Sequence, residues 1–427
     1  MKNSILKKIC AGTAALTLCL TAAAPVSADT VKGDADANGV VQVQDVIALK
    51  SHLLNTAPLS DEGMLNADMN EDETVNVVDL ILLTNVFLSS KNEQSSDAVK
   101  ITLSGTEVTA DEGVETENTT VKITKSGTYT VSGEMTTDAV IYVNVPDEDK
   151  ESVNITLDGV SMTNSTNSPC IMVENADKTK ITFKGENKLV STYGAADADS
   201  AVIYAKDDIT FTKSSDGKLE IESDTQMGIY CNNDIKFNGG KIKIKTDAAD
   251  LGTAKADGVK AKGDIGLTGG ELKINASGDG LKSSKAAVTV SGGSAEIKAG
   301  NDAVQAETSF TMTDGDVVAC GDRGLTALAE INVTEGNLFV TSTEAFSFPA
   351  KTGMDRAFII TLKEQHAKTD LITLCGTTLT PLKKYQYVLA FDTDFKASSN
   401  YTDVLVINGE AYDTSGGVLK ESSVISN

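Results

Sequence analysis

One spacing constrains the fold of this chain more than any other feature. The step Asp257-Gly258-Val259-Lys260 returns as Asp279-Gly280-Leu281-Lys282, as Asp302-Ala303-Val304-Gln305 and as Arg323-Gly324-Leu325, at intervals of 22, 23 and 21 residues. A second marker keeps the same clock: Gly239-Gly240, Gly269-Gly270, Gly292-Gly293, Asp314-Gly315 and Glu335-Gly336. Between the markers lie short segments with one apolar and one polar face, such as Lys241-Ile242-Lys243-Ile244-Lys245 and Glu271-Leu272-Lys273-Ile274. Strict alternation reads as β-strand. Several short strands per repeat of about 22 residues describe a β-solenoid, in which each coil buries its apolar side chains against the next.

The predicted fold is therefore mostly β, a right-handed parallel β-helix. A β-sandwich would need longer strands and hairpins, and would not produce this period. A leucine-rich repeat would show Leu-x-x-Leu-x-Leu, which is absent. Looser copies of the step lie upstream at Cys170-Ile171-Met172, Ala201-Val202-Ile203-Tyr204 and Met227-Gly228-Ile229-Tyr230, in longer coils that carry loops near Tyr193–Asp199 and Asp247–Thr253. The tail, with Phe358-Ile359-Ile360 and Tyr385 to Phe391, predicts a β-rich cap over an otherwise open sheet edge.

Ahead of the repeats sit two acidic loops of twelve residues, 34 residues apart. Side-chain oxygens at positions 1, 3, 5 and 12, and a main-chain carbonyl at position 7, suit a hard cation such as Ca²⁺. In the first loop these are Asp34, Asp36, Asn38, Asp45 and Val40; in the second they are Asp68, Asn70, Asp72, Asp79 and Thr74. Position 6 is Gly39 in one loop and Glu73 in the other, so the second turn is expected to be strained or reshaped. Each loop runs into one apolar helix. Residues 31–90 thus resemble a type I dockerin. That resemblance implies a small α-helical calcium-binding module that plugs into a cohesin domain of a scaffoldin. It implies partner-reading positions at Val43, Gln44, Lys50 and Ser51, and at Val77, Val78, Thr84 and Asn85.

Residues 1–28 read as a secretory signal peptide: Lys2, Lys7 and Lys8, an apolar run from Ile9 to Ala24, then Val26-Ser27-Ala28. The run is too short, and too rich in Ala and Thr, to span a bilayer. Its removal takes the net charge from −24 to −27. Such a chain avoids nucleic acid and anionic membranes. The widely spaced Cys170, Cys231, Cys320 and Cys375 show no CxxC and read as buried thiols. The predicted organisation is a leader over 1–28, the dockerin over 31–90, a linker over 91–98, the β-helix over 99–345 and the cap over 346–427, in a secreted, extracellular protein of cell surface or cellulosome.

In a parallel coil stack, matching residues lie about 4.8 Å apart. Asp257, Asp279 and Asp302 share one repeat position; pointing outward, they would form a ladder of like charge that Lys260, Lys282 or bound Ca²⁺ must offset. Asp207, Asp208, Asp234 and Asp264 form a second row, where Asp also caps tight turns. Ser126-Gly-Thr-Tyr-Thr-Val-Ser-Gly133, Leu157-Asp-Gly-Val-Ser-Met-Thr-Asn164, Ala205-Lys-Asp-Asp-Ile-Thr210 and the Asp-Gly-Val/Leu-Lys coils resemble secreted carbohydrate-binding proteins whose β-helix is similar to that of pectate lyases. The resemblance implies binding to plant cell-wall polysaccharide, cellulose or acidic pectin-like chains, with calcium along the helix. Trp is absent, so Tyr193, Tyr204 and Tyr230 are the candidates for stacking on sugar. A chain this acidic is expected to need bridging cations to hold an acidic sugar. Were it a lyase, the base would come from Arg323, Lys282 or Lys260. A structural or adhesive surface protein is a third reading.

Overall fold

The computed structural model describes residues 31–70, 72, 74–84, 98–193, 200–247, 256–354, 357–374, 377–392, 405–408, 410–411 and 418–421. The leader, Glu73, Asn85, Arg356, Cys375 and most of the two loops expected to extend from the upstream coils (194–199 and 248–255) lie outside the described residues. The chain divides into two compact units, Met1–Ser95 and Ser96–Asn427.

In the first unit, α1 (Val43–Leu53), α2 (Asp61–Ala67) and α3 (77–84) surround a small core of Ala35, Leu49, Ala67 and Leu83. Leu49 and Leu83 sit 34 residues apart at the same place in the two repeats, so one core serves both loops. Asn66 ties the repeats together: its carbonyl accepts the Gly33 N–H at 2.8 Å, and its side chain donates to the Asp34 carbonyl at 3.0 Å.

The second unit is a β-solenoid of about eight turns. A representative coil contains Met227–Cys231, Ile235–Phe237 and Lys241–Thr246, one strand in each of three parallel columns. The first column forms a 10-stranded sheet. The second and third columns join into a larger sheet because strands such as Val288–Ala299 and Ser309–Gly321 bend through the corner between them. The register keeps like residues in line: Ile235 pairs with Ile265, which pairs with Val288, which pairs with Phe310.

Alternation fills the interior. Ile209, Phe211, Ile235, Ile265, Val288 and Phe310 are each at most 1 % exposed. Phe211 and Phe237 stack in successive coils, with centroids 5.1 Å apart and planes 2° apart. Each such burial contributes roughly 1.5–3 kcal/mol. Both sequence markers are corner requirements. Gly240, Gly270, Gly293, Gly315 and Gly336 hold the turn into the third column at φ between +76° and +99°, where a Cβ is disfavoured. At the other marker, a Cβ on Gly280 would lie 2.3 Å from Ile297 Cγ2 and 2.5 Å from the Ala303 carbonyl.

Both solenoid ends are paired. Val99–Gly105 and Glu107–Ala110 form a hairpin that joins the first strands. At the far end, Tyr385–Asp392 runs antiparallel to Asn337–Ser342, and Ala357–His366 pairs behind it. Phe339, Phe358, Leu362, Ile372 and Tyr385 form the separate core of this terminal layer.

Candidate functional site

In the first acidic loop, Asp34, Asp36 and Asp45 bring ligand oxygens within 4.8 Å of one another. The loop is shaped by its own acids. Asp34 accepts the N–H of Asn38 at 3.0 Å and of Gly39 at 2.6 Å, and Gly39 turns at φ +88°. Asp45, fully buried at the start of α1, accepts the N–H of Asp36 at 3.0 Å and of Gln42 at 2.7 Å. Desolvation first, and the Asp45 charge second, push the Asp36 carboxyl above its ordinary range. Three acids held this close fit a hard divalent cation, whose charge would relieve that repulsion.

The second loop repeats the design. Asp79 is fully buried and accepts from Met69 at 2.8 Å, Asn70 at 3.3 Å and Asn76 at 2.8 Å. Asp68 and Asp72 accept the N–H groups of Asp72 and Thr74, as their partners do in the first loop. Asn70 stands where the first loop has Asp36, and Asp72 where it has Asn38, so each loop offers three acids at its ligand positions.

The helices after the loops present apolar side chains outward. Val43 and Val78 are each 45 % exposed and Val77 is 61 % exposed. Gln44 and Lys50 are exposed, whereas Ser51 and Thr84 are half-buried and donate their hydroxyls to Ile47 and Leu80 carbonyls one turn back. Sequence reasoning missed Ile47 and Ile81, 58 % and 55 % exposed at matching places in the repeats. An apolar residue one turn beyond Val43 and Val77, on the face away from Leu49 and Leu83, was the available signal.

On the solenoid, Asp279 and Asp302 do not point outward, which was the condition for an exposed ladder of charge, and Asp257 is half-buried. Asp279 is 4 % exposed and Asp302 is fully buried. Each acid accepts the N–H of its successor: Asp279 N–H donates to Asp257 Oδ1 at 2.8 Å, and Asp302 N–H to Asp279 Oδ1 at 3.1 Å. The charges are offset by protein cations. Lys282 Nζ lies 2.6 Å from Asp279 Oδ2, and Arg323 forks onto both oxygens of Asp302 at 2.6 and 3.1 Å. Asp208, Asp234 and Asp264 form a similar ladder, capping the N–H groups of Asp234, Asp264 and Ala287.

These pairs decide the state of two candidate bases, Lys282 and Arg323. Burial alone lowers the Lys282 pKa, but the bond to Asp279 and the charges of Asp279, Asp257 and Asp302 outweigh it and hold the ammonium above its usual range. The Asp302 bond does the same for Arg323. Lys260 lies over the Tyr230 ring, 5.1 Å from its centroid.

The tyrosines are only partly where stacking on sugar would need them. Tyr204 and Tyr230 are register partners, with centroids 5.3 Å apart and rings at 72°. Tyr230 is 1 % exposed, packed with Ala201, Met227 and Tyr204, and so has no free face for a sugar; this corrects its candidacy. Tyr193 is half-buried at a loop start and belongs to no strand row. Tyr142 and Met172 were missed. They continue the outward row of the first column, which runs Tyr142, Met172, Tyr204, Tyr230, Lys260, Lys282, Gln305. The signal was present as an apolar-X-apolar triplet in every coil of the row except that of Lys282, where Ser283 holds the third place. Cys170, Cys231 and Cys320 are buried free thiols that burial pushes up to about 12, so they are unreactive at neutral pH.

Comparison with known proteins agrees with both units. Residues 32–88 match the profile of the type I dockerin domain, and this segment is a type I dockerin. A carbohydrate-binding domain-containing protein of Acetivibrio thermocellus is 32 % identical over 250 residues, which cover 56 % of this chain and 85 % of that protein. The solved structure of a polysaccharide lyase-like protein from C. thermocellum superposes with a TM-score of 0.50 at 29 % identity, over 56 % of this chain and 99 % of that one. The profile described as carbohydrate-binding domain-containing protein matches residues 117–357, more than half of the sequence, and the chain belongs to that family.

Proposed function

We propose that this protein is a secreted, cellulosome-type component. Its dockerin, folded around Ca²⁺ held by Asp34, Asp36, Asn38, Val40 and Asp45 and by Asp68, Asn70, Asp72, Thr74 and Asp79, docks into a scaffoldin cohesin through the apolar residues about Val43, Ile47, Val77 and Ile81. Its solenoid is a non-catalytic module that binds plant cell-wall polysaccharide along the outward row of the first column. Tyr142, Met172 and Tyr204 supply flat apolar contact there, and Lys260 and Gln305 supply polar contact. The family membership and the polysaccharide lyase-like relative support polysaccharide as the ligand.

One observation carries the non-catalytic reading. Elimination next to a uronate carboxylate needs a free base near neutrality. Lys282 and Arg323 are instead bound to Asp279 and Asp302 and held protonated. The test passes the mature protein over cellulose and over polygalacturonate, and follows the ultraviolet absorbance of unsaturated sugar in the eluate. Retention on either polymer without absorbance is the expected outcome. Accumulating absorbance would make the protein a lyase, and retention on neither would leave a structural or adhesive role.

A further inference from the structure

The third column presents a cluster of lysines on the outside of an otherwise strongly acidic chain. Its outward rows run Glu186, Lys218, Lys241, Glu271; Lys188, Glu220, Lys243, Lys273, Glu296; and Glu222, Lys245, Asn275, Lys298. Over the earlier coils the charges neutralise one another, as in Lys188–Glu222 at 2.8 Å, Lys218–Glu220 at 2.8 Å and Lys243–Glu220 at 3.2 Å. Over the later coils Glu271 pairs with Lys273 at 3.2 Å and Lys241 at 3.9 Å, but Lys298 adds a charge that no carboxylate pairs among the described residues. A groove of about 320 Å³ opens there, lined by Lys243, Lys245, Lys273 and Lys298 against one acid, Glu296.

The groove is built rather than incidental. Its far wall is Leu382, from the connection before the terminal strand Tyr385–Asp392. The next residue pins that wall to the coil: Lys383 Nζ donates to the Ala299 carbonyl at 2.7 Å and lies 3.7 Å from Asp322. Glu296 is partnered by Lys273 at 3.7 Å. Lys298 has no carboxylate partner among the described residues, and the nearest acid to Lys245 is Asp247 at 3.9 Å.

Lys245, Asn275 and Lys298 form one register row over three coils, so the two lysines spring from backbone positions two coil spacings apart with an amide between them. An extended 1,4-linked uronic acid chain that alternates its faces presents a carboxylate to one side at every second ring. A pyranose ring is about as long as one coil spacing. The row therefore matches carboxylate, hydroxyl, carboxylate in step, while the lysine stems and Leu382 offer apolar contact to the ring between.

We infer that this groove is a second polysaccharide site, specific for carboxylated sugar chains and independent of bridging calcium. It lies on a different column from the tyrosine row. The choice of ligand class rests on the polysaccharide-binding reading above.

The test titrates the full mature chain, in buffer with chelator and no divalent cation, with a galacturonate oligomer and with a neutral galactose oligomer of the same linkage. The charged oligomer is expected to bind and the neutral one to bind far more weakly. Lys245→Ala/Lys298→Ala is expected to weaken the charged oligomer about tenfold or more. Lys236→Ala/Lys285→Ala, which removes the same charge from exposed positions elsewhere, is expected to bind as the parent does. Thermal melts of both variants check folding. Equal binding by the groove variant, or equal loss in the control variant, overturns the inference. If the charged oligomer does not bind while cellulose is still retained, the groove proposal fails and the polysaccharide-binding reading stands. If neither is held, both fail.

Discussion

Asp302 is fully buried and gives both oxygens to Arg323, whose own side chain is 55 % exposed. Truncating the arginine would leave a carboxylate inside the protein with its main ionic partner gone. Arg323→Ala should therefore cost about 2 kcal/mol or more of stability, read in urea unfolding, and leave polymer retention unchanged. Asp257 has no such cation on its oxygens among the described residues. Burial first, and the Asp279 charge second, push its carboxyl up to about 6 from an unfolded value of 3.8. Between those values the folded state holds the extra proton, so this group's contribution to stability falls as pH rises through the window and stays reduced above it. Asp257→Asn keeps an oxygen for the Asp279 N–H and cannot ionise. It should melt with the parent near pH 4 and be about 1–3 kcal/mol more stable at pH 7. The shared repeat position of these acids was visible in the sequence. Their direction was not, because a residue beside a corner escapes the in-out alternation that governs strand interiors. Tyr230 misled for a related reason: its ring sits on the outward row but is covered by neighbours contributed from other coils.

The elements were more legible than the residues. Every coil must turn the same corners in the same space, so the glycine steps recur, and the recurrence predicts coil length and strand order together. Gly280 tests this directly. A valine there would meet Ile297 and the Ala303 carbonyl, so Gly280→Val should cost about 1–3 kcal/mol and lower the urea midpoint with little change in slope. Other coils carry Cys170, Val202 and Ala303 at the same corner, so the clash at Gly280 is set by its own neighbours, Ile297 and the Ala303 carbonyl. In the calcium loops, position 12 organises the turn from behind: Asp45 and Asp79 each receive N–H groups from both ends of their loop. Asp45→Asn should weaken calcium binding by about tenfold or more, measured by titration, since it removes one of three clustered charges. The lysine groove was not legible at this level. Its wall comes from Leu382, while Lys383 reaches back 84 residues to Ala299, and no local pattern announces a contact of that range.

At the scale of the whole molecule the two units divide the work. Residues 32–88 are the dockerin and 117–357 the carbohydrate-binding family domain. Each has its own core, one built on Leu49 and Leu83, the other on the stacked interior of the coils. Chelation should therefore melt the first unit and leave the solenoid folded, seen as loss of helical signal with the β signal and the high-temperature transition retained. The chain is proposed to connect a scaffold to a polysaccharide without cutting it. The most direct test loads the mature protein onto an immobilised cohesin in calcium, adds fluorescent cell-wall polymer, and then recovers that polymer with chelator. Polymer is expected to be held only when both protein and calcium are present, and to be recovered at its original length with no unsaturated ends. Polymer that washes through while the protein stays docked, or that returns shortened with unsaturated ends, would contradict that proposal.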